Sequence, residues 1–326
     1  MSSQATSIEV AIAVSKYLRR VRARQSPHTL KNRRIAAAQF DEWCRRNGSS
    51  LFEADEWLVE DWIDYMLDDE GGEGFAPRTV RNKIYDISAL YQYLKKRNHV
   101  DENPVEDVDT SDLTGTIMDE YAEVRYLEPE EYEAMLDACS RVRDELLLRL
   151  LWNCGVRAEE AVNIEVEAHL DRDKREITIK TGKQGRTSDV KSRTVYYSRR
   201  MERTLRDWLD RGARNKYMSS DSSSHLIVSK QADHPQPKRV TEIIDEIATD
   251  AGVQDELWED ASGRKRYRVT AHSFRHSYAV HRVKQGMPIV YLQELMGHAD
   301  IEQTRKYLKF RKDDIREAEK KYAPRI

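Results

Sequence analysis

Apolar residues recur at helical spacing along most of this chain, and only one stretch shows the pattern of strands. A clear helical stripe follows Ala76-Pro77 and consists of Val80, Ile84, Ile87, Tyr91 and Leu94. By contrast, Glu176–Lys180 and Arg193–Tyr197 carry alternating or β-branched and aromatic residues, so they predict a hairpin whose loop is the polar stretch 181–192. The sequence therefore predicts a mainly α protein with one small antiparallel sheet.

The chain also divides into two predicted domains. Residues 8–108 predict an all-helical domain, residues 109–124 a linker rich in Asp, Thr and Ser, and residues 125–326 a mostly helical second domain. Ser26-Pro27 is a typical helix start, because Ser caps free amides and Pro at the first helical position gives up no hydrogen bond. That helix is expected to end near Gly48.

Several features bound where such a protein works. The longest apolar run, Leu146–Trp152, is interrupted by Arg149 and is too short to cross a bilayer. The first eight residues lack the basic and apolar segments of a secretory signal. No metal-ligand spacing is found among the three cysteines, Cys44, Cys139 and Cys154. We therefore expect a reduced, cytoplasmic protein without a membrane partner.

Charge is distributed unevenly along the amino-terminal region. The net charge of -3 argues mildly against nucleic-acid binding, but residues 16–46 hold ten Lys and Arg, whereas residues 53–73 hold ten acids and no base. A local basic face is what attraction to phosphate requires, and two solvated helix faces of opposite sign are the alternative. The basic residues predicted to contact a nucleic acid are Lys31, Arg33, Arg34, Arg78, Arg81, Lys83, Arg264, Lys265 and Arg266.

Two arginines stand in patterns that suit an anion. In Cys154-Gly-Val-Arg157-Ala-Glu-Glu160, one helical turn allows Glu160 to hold the guanidinium of Arg157, although an ordinary surface ion pair has the same spacing. His272-Ser-Phe-Arg275 places an imidazole and a guanidinium near a helix start that Thr270 can cap. Free amides and a fork of donors at such a place suit a phosphate.

Three further residues raise the question of metal or nucleophilic chemistry. His272 and His276 have helical spacing for zinc, but the glutamate of the zinc-protease motif and a third ligand are missing, so we interpret His276 as a packed, hydrogen-bonded core histidine. His298 follows Leu295-Met-Gly, and Tyr307 lies nine residues further on. A lone tyrosine among 16 is usually structural, so only a set of residues acting together gives Tyr307 a role.

Together these residues resemble the tyrosine recombinases, the family of phage integrases and Xer-type recombinases. The resemblance lies in their order along the chain, in Leu226–Lys230 with the Pro237 that follows, and in the Asn103-Pro104-Val105 ending of the first domain. It covers nearly the whole chain. It implies a SAM-like core-binding domain followed by a catalytic domain, and site-specific cleavage and rejoining of double-stranded DNA.

The resemblance also implies roles for individual residues. Arg157 and Arg275 would clamp the scissile phosphate, with Glu160 as a supporting carboxylate. Tyr307 would attack phosphorus to give a 3′-phosphotyrosyl bond, His272 would take its proton and His298 would donate a hydrogen bond to the phosphate. No cofactor and no metal ion are implied.

The family uses a lysine to protonate the leaving oxygen, and three lysines of this chain could take that place. The predicted hairpin and its loop offer Lys180, Lys183 and Lys191, and we favour Lys180 because Lys180-Thr-Gly resembles the integrase version. By resemblance we also expect a tetramer on DNA, an accessory DNA-bending protein as a further partner, association with the nucleoid, and a tail at residues 313–326 that packs on a neighbouring protomer.

Two other functions share parts of this pattern. A type IB topoisomerase uses similar Arg, Lys, His and Tyr chemistry, but the long amino-terminal domain and the His298 motif favour recombination. The other alternative is a DNA-binding regulator that keeps the fold and has lost catalysis. Every catalytic residue type is present, with only the position of the lysine left open, and this argues against a regulator.

Overall fold

The structure is a computed structural model. It describes residues 2–110, 113, 124–181, 191–217, 221–230, 232–259 and 265–311. These residues form two compact units, an amino-terminal unit with residues 2–110 and 113 and a carboxyl-terminal unit with the remainder. Most of the predicted linker 109–124 lies outside the described residues, so the domain bounds stay a prediction. No helix in the described part of the chain is long and apolar enough to cross a membrane.

The amino-terminal unit is helical throughout its described elements. Its helices are α1 Ser2–Arg24, α2 Pro27–Arg46, α3 Glu56–Leu67 and α4 Pro77–Lys95. The predicted start of α2 is confirmed, because the Ser26 hydroxyl accepts a hydrogen bond from the Thr29 amide at 3.1 Å and Pro27 opens the helix. Phe40 lies in the core of this unit, and the centre of its ring is 4.8 Å from that of Trp62 and 6.2 Å from that of Tyr91.

The carboxyl-terminal unit combines helices with two small sheets. Its described helices are α5 Pro129–Asp137, α6 Val142–Cys154, α7 Ala158–Val162, α8 Val166–His169, α9 Arg199–Leu209, α10 Pro237–Asp250, α11 Ala271–Lys284, α12 Ile289–Met296 and α13 Glu302–Arg305. Its described strands are β1 Leu170–Asp171, β2 Glu176–Thr181, β3 Lys191–Tyr196, β4 Glu256–Glu259 and β5 Lys265–Tyr267. The mainly α fold class is therefore confirmed.

The predicted hairpin is present, and the structure contains further strands that the sequence does not predict. β2 and β3 pair antiparallel with Ile177 opposite Val195, and β1 adds a short third strand with Leu170 opposite Ile177. β4 and β5 form a separate two-stranded sheet, so the expectation of one sheet is wrong. All residues of β4 are exposed, which removes the alternation of apolar and polar residues by which a strand is recognised.

Two apolar clusters organise the carboxyl-terminal unit. The larger one surrounds α6, whose leucines from Leu146 to Leu151 are fully buried. The smaller one lies on α11 and α12 and contains Tyr278, Val283, Leu292 and Met296 together with Tyr307. The end of the chain that the structure describes is thus fixed against α11 by the ring of Tyr307.

Gly155 ends α6 in a conformation that leads the chain directly to Arg157. Its φ is 59°, in the left-handed region that favours glycine, and a Cβ atom there would lie 2.5 Å from the ring of Tyr278. Both the backbone conformation and the close approach of the ring therefore require glycine at this position.

Gly155→Ala is expected to destabilise the protein strongly. The left-handed conformation costs about 1–2 kcal/mol for a residue with a Cβ, and overpacking against Tyr278 adds about 1–3 kcal/mol. Denaturant unfolding followed by circular dichroism measures the change. Gly252→Ala is the matched control, because Gly252 also follows a helix with a φ of 68° but has no atom within 4 Å of the position that an added methyl group would take. An equal loss in both variants would show that contact with Tyr278 contributes nothing.

Candidate active site

Glu160 is the centre of a cluster of arginines in the carboxyl-terminal unit. Its Oε1 atom lies 3.0 Å from Nη1 of Arg157, and its Oε2 accepts a hydrogen bond from the Arg157 amide at 2.8 Å. Arg193 binds both carboxylate oxygens, at 3.0 and 2.8 Å. Nη1 of Arg275 lies 3.9 Å from Oε2. One carboxylate thus gathers three guanidinium groups from α11, β3 and the start of α7.

The ionised state of Glu160 is favoured by these neighbours. Burial opposes ionisation, but hydrogen bonds and charge from Arg193 and Arg157 outweigh it and lower the pKa of Glu160 below its usual value. The predicted meeting of Arg157 and Arg275, which are 118 residues apart in sequence (275 − 157), is therefore found, and it occurs through this carboxylate.

Arg275 is held inside the protein by backbone carbonyl groups. Only 2% of it is exposed, and it donates hydrogen bonds to the carbonyl oxygens of Gly155, at 2.6 Å, and Met296. Burial, followed by repulsion from Arg157, lowers the pKa of Arg275 to about 10, so it remains a cation at neutral pH. Its guanidinium joins the ends of α6 and α12 to α11.

Tyr307 is buried, and its hydroxyl group contacts a histidine. The residue is 1% exposed, and its Oη atom lies 2.7 Å from Nδ1 of His276. Burial raises the pKa of Tyr307 to about 12, while the positive charges of Arg275 and Arg157 act in the opposite direction. The phenol is therefore protonated in the structure, within the electrostatic range of both arginines.

His276 is one of two site residues whose roles the sequence reasoning missed. It is hydrogen-bonded, as expected of a packed histidine, but its partner is the candidate nucleophile Tyr307. The resemblance to the family assigns the proton of Tyr307 to His272, whereas the contact in the structure is made by His276, one helical turn further along α11. The spacing His272-x-x-x-His276 is the available signal, but it does not identify the phenol of Tyr307 as the hydrogen-bond partner of His276.

His272 lies beside His276 at the edge of the site. The two rings are 4.4 Å apart and nearly perpendicular, at 79°. His272 is exposed, and it stands in the first turn of α11, where the Thr270 hydroxyl accepts a hydrogen bond from the Ser273 amide at 3.3 Å. Although part of the residue reaches solvent, the surrounding protein partly desolvates its ring, and this desolvation, with repulsion from Lys306 and Arg275, lowers the pKa of His272 below its usual value. The predicted cap at Thr270 is confirmed.

His298 is held in place by a hydrogen bond to Thr304. Gly297 ends α12 with a φ of 63°, and Nδ1 of His298 lies 2.8 Å from the hydroxyl of the buried Thr304. Burial and then the charges of Arg275 and Arg157 lower the pKa of His298 to about 3, so its imidazole is neutral. Its second nitrogen, Nε2, has the capacity to donate a hydrogen bond when Nδ1 acts as the acceptor.

Arg193 belongs to this site but was not predicted. It occupies β3 on the same side as Val195 and Tyr197, and it is 7% exposed, with a further hydrogen bond to the carbonyl oxygen of Leu295 at 2.7 Å. The sequence did contain a signal for this role. Side chains on a strand alternate between its two faces, and Arg193 falls on the same, inward face as Val195 and Tyr197. Such a residue needs a buried acceptor, and Glu160 supplies it.

The three candidate lysines lie on or between β2 and β3. Lys180 is exposed on β2, opposite Ser192. Lys191 is the first residue of β3, and its backbone pairs with Thr181, but its side chain lies outside the described part of the structure, as does the whole of Lys183. The choice of Lys180 stays a prediction.

The basic residues of α2 and α4 fall into two groups. Lys31, Arg34 and Arg78 are exposed. Arg33, by contrast, is paired with Asp86 at 3.5 Å, and the Lys83 ammonium, half-buried, donates a hydrogen bond to Gln39. Arg81 is half-buried. The exposed group is therefore the better placed for contact with a large polyanion.

The basic run beside β5 is described in part. Lys265 and Arg266 are exposed on β5, and Lys265 forms an ion pair with Glu256 of β4 at 2.8 Å. Arg264 lies outside the described residues.

The sequence of the chain is similar to a known protein family and to individual recombinases. Residues 125–313 match the phage integrase family. The tyrosine recombinase XerA of Pyrococcus furiosus is 28% identical over 197 residues, which cover 59% of this chain and 59% of that protein. The chain thus matches about three fifths of the length of that relative. The tyrosine recombinase XerC of Oceanobacillus iheyensis is 24% identical over 307 residues, 92% of this chain and 91% of that one.

Solved structures show the same fold at low sequence identity. The Tn1549 transposon integrase in complex with transposon right end DNA has a TM-score of 0.70 and 17% identity, covering 97% of this chain and 99% of that one. The XerH site-specific recombinase bound to a palindromic difH substrate, in a post-cleavage complex, has a TM-score of 0.67 and 19% identity, covering 89% and 78%. At these identities the likeness concerns the fold alone.

Proposed function

The chain belongs to the phage integrase family, and from this premise we propose that it is a site-specific DNA recombinase that cuts and rejoins DNA through a 3′-phosphotyrosyl bond to Tyr307. One observation carries the proposal. Arg157 and Arg275 share Glu160, and the charges of both arginines act on the phenol of Tyr307. A nucleophile and a pair of phosphate-binding cations are thereby brought together.

The arginines would stabilise the charge that develops on phosphorus. Arg157 is the accessible member, with 45% of its side chain exposed, while Arg275 is anchored from within. Forked donors in fixed positions bind phosphate oxygens in two places at once, and they need no reorganisation as the reaction proceeds. Glu160 and Arg193 would hold the fork in place, and His298 would donate a further hydrogen bond to the phosphate.

The proposed cleavage step exchanges one ester for another. The O–H bond of Tyr307 breaks, its oxygen forms a bond to phosphorus, and the bond from phosphorus to the 5′ oxygen breaks. A histidine of α11 receives the phenolic proton, and a lysine, for which Lys180 is favoured, gives a proton to the 5′ oxygen. The phosphotyrosyl ester keeps the bond energy of the phosphodiester, so the reverse sequence rejoins a strand without ATP.

Double-stranded DNA is the proposed partner, and the exposed basic residues of α2 and α4 are proposed to bind its phosphates. Arg78 is exposed in the first turn of α4, where no side chain caps the helix, so its cation is accessible to a phosphate at this helix start. The relatives of known structure bound to DNA, XerH and the Tn1549 integrase, support this partner.

Salt is expected to weaken this binding steeply, and Arg78 should contribute one part of that dependence. Arg78→Ala should reduce the slope of log affinity against log salt by about one, because one fewer phosphate contact releases one fewer counterion. Fluorescence anisotropy with a labelled duplex, at several salt concentrations, measures the slope. Lys238→Ala is the control, because Lys238 is exposed on α10 and faces Glu242 at 3.4 Å. A wild-type affinity that does not change with salt would contradict the proposed basic face.

Assembly and cellular setting are proposed from the family alone. Four protomers would bind two DNA sites, an accessory DNA-bending protein would assist, and the protein would be associated with the nucleoid. Residues 313–326, which are proposed to pack on a neighbouring protomer, lie outside the described residues. Deletion of residues 311–326 tests the role of this tail, and assembly unchanged from that of the full chain would refute it.

Covalent capture of DNA is the direct test of the function. The wild-type protein is incubated with a library of nicked duplexes, whose short released strand cannot return to reverse the cleavage. We expect an adduct that survives detergent, with a 3′-phosphate located on Tyr307 by peptide mass spectrometry and a preferred sequence among the captured duplexes.

The other two functions predict different results in the capture assay and in relaxation of supercoiled DNA. Site-independent adducts together with relaxation of supercoiled DNA by a monomer would favour a topoisomerase. Sequence-specific binding without any adduct would favour a regulator that has lost catalysis. Either result would overturn the proposed recombinase.

A further inference from the structure

We propose that His276, rather than His272, is the catalytic side chain that takes the proton of Tyr307 during cleavage and returns it during rejoining. The inference rests on the proposed function, because it concerns the same nucleophile. His276 is not among the residues that the resemblance to the family assigns to catalysis, and its place in the site follows from the fold of this chain.

The geometry is that of a direct proton transfer. Nδ1 of His276 lies 2.7 Å from the phenolic oxygen, within the range of a good hydrogen bond between a hydroxyl group and a ring nitrogen. The two ring centres are 5.7 Å apart at 57°, so the imidazole meets the hydroxyl edge-on without stacking on the phenol. A proton moving along this bond crosses no intervening group.

The state of the imidazole suits an acceptor. Burial lowers the pKa of His276 to about 3, and repulsion involving His272 on the same helix, Lys306 next to Tyr307, and Arg275 acts in the same direction. His276 is therefore neutral at physiological pH. When its Nε2 carries the hydrogen, Nδ1 has a free lone pair directed at the hydroxyl group.

A base this weak requires the substrate to make it effective. Arg275, one of the cations that depress the pKa of His276, is also proposed to bind the scissile phosphate. A phosphate bound to Arg275 brings negative charge close to His276, which favours the protonated imidazole and raises its pKa. Proton transfer would therefore become favourable once DNA is in place, which limits activation of Tyr307 to the complex.

His272 takes a different part in this arrangement. Its ring stands perpendicular to that of His276 at 4.4 Å and is exposed, so it is available to donate a hydrogen bond to a phosphate oxygen while it fixes the plane of His276. The two histidines thus divide work that resemblance to the family gives to one.

The protons balance in both directions. During cleavage the phenolic proton moves to Nδ1 of His276, the oxygen of Tyr307 bonds to phosphorus, and the departing 5′ oxygen receives a proton from the lysine. During rejoining the 5′ hydroxyl returns its proton to the lysine and attacks phosphorus. The phenolic oxygen then leaves and recovers its proton from His276.

Two substitutions of His276 separate proton transfer from hydrogen bonding. His276→Ala removes both, whereas His276→Asn keeps a hydrogen-bond acceptor that is no base. Single-turnover cleavage of a nicked duplex is measured between about pH 6 and 10. Both variants should be slower by roughly 10²–10⁴-fold near neutrality, the usual contribution of a positioned acid or base. Their rates should rise with pH where the wild-type rate is nearly constant, because hydroxide replaces the missing base.

A DNA substrate with sulfur in place of the 5′ bridging oxygen shows which of the two proton transfers a variant affects. In a duplex with sulfur at the 5′ bridging position the leaving group needs no proton. The defect of the His276 variants should persist with this substrate, while the defect of whichever of Lys180→Ala, Lys183→Ala and Lys191→Ala removes the proton donor should be relieved. Added imidazole should restore part of the rate of His276→Ala.

A control variant and the wild-type adduct distinguish an error in the role of His276 from an error in the proposed recombinase function. His281→Ala removes a histidine of the same helix that contacts the Leu127 carbonyl oxygen at 2.8 Å, so it should alter stability without altering the pH profile. If the wild type forms the Tyr307 adduct and the His276 variants cleave as fast or faster, the contact only holds Tyr307 at rest and the inference is wrong. If the wild type forms no adduct, the proposed function itself is wrong.

Discussion

Tyr307→Phe is expected to abolish the covalent adduct and all strand exchange. Loss of the nucleophile in other enzymes that use covalent catalysis reduces turnover by roughly five to six orders of magnitude, which places the variant below detection in an adduct assay. No neighbouring hydroxyl should replace it, because the arginines of the Glu160 cluster act on the oxygen of residue 307 itself. The readout is the shifted protein band on a denaturing gel after incubation with the nicked duplex.

The same substitution should leave the fold intact. The ring of residue 307 keeps its place in the apolar cluster of α11 and α12, and the loss of one hydrogen bond to His276 costs about 1 kcal/mol. Tyr126→Phe is the matched control, since the Tyr126 hydroxyl accepts a hydrogen bond from Lys284 at 3.0 Å, away from the Glu160 cluster. An adduct formed by Tyr307→Phe, or none formed by Tyr126→Phe, would contradict the assignment.

Arg275→Ala is expected to cause the second largest loss. Removal of one preorganised donor to a developing charge typically slows a reaction by about 10²–10³-fold, and the second negative charge that develops in the pentacoordinate arrangement should put the loss at or above that range. Stability should fall as well, because the carbonyl groups of Gly155 and Met296 lose a buried partner at roughly 1–3 kcal/mol each. DNA affinity should change little, since the exposed basic residues provide most of it.

Arg282→Ala separates these two effects. Arg282 is also on α11, donates a hydrogen bond to the Asn153 carbonyl oxygen at 3.0 Å and lies 3.4 Å from the centre of the Tyr278 ring. Its loss should destabilise the protein and leave the rate of cleavage near that of the wild type, when both are compared below their melting temperatures. Parallel losses of DNA binding and cleavage in Arg275→Ala would instead indicate that Arg275 acts only in binding or folding.

Much of the fold was predictable because the local signals agree with the packing. Ser26 and Thr270 cap helices as expected, and the apolar stripe of α4 is buried. β2 and β3 pair where alternation predicts them. β4 was missed because all its residues are exposed, and β1 because two residues are too few to form a pattern.

The site was predictable only in part, for a different reason. Arg157 and Arg275 were found through resemblance to a family, since nothing in their separate spacings shows that they share Glu160. Arg193 and His276 were missed because their roles depend on which distant group each one meets in the folded chain: a carboxylate of α7 for the first and a phenol after α13 for the second. Sequence spacing reports neighbours on one element and says little about partners on another.

The Glu160 cluster has a consequence for selectivity between ground state and transition state. Three arginines and one carboxylate leave a formal excess of two positive charges (3 − 1 = 2). An intact phosphodiester carries a single negative charge, and the pentacoordinate arrangement adds a second. The charge of the phosphate therefore balances that of the cluster only in the transition state. The net positive charge of the cluster attracts the pentacoordinate phosphate more strongly than the uncleaved phosphodiester.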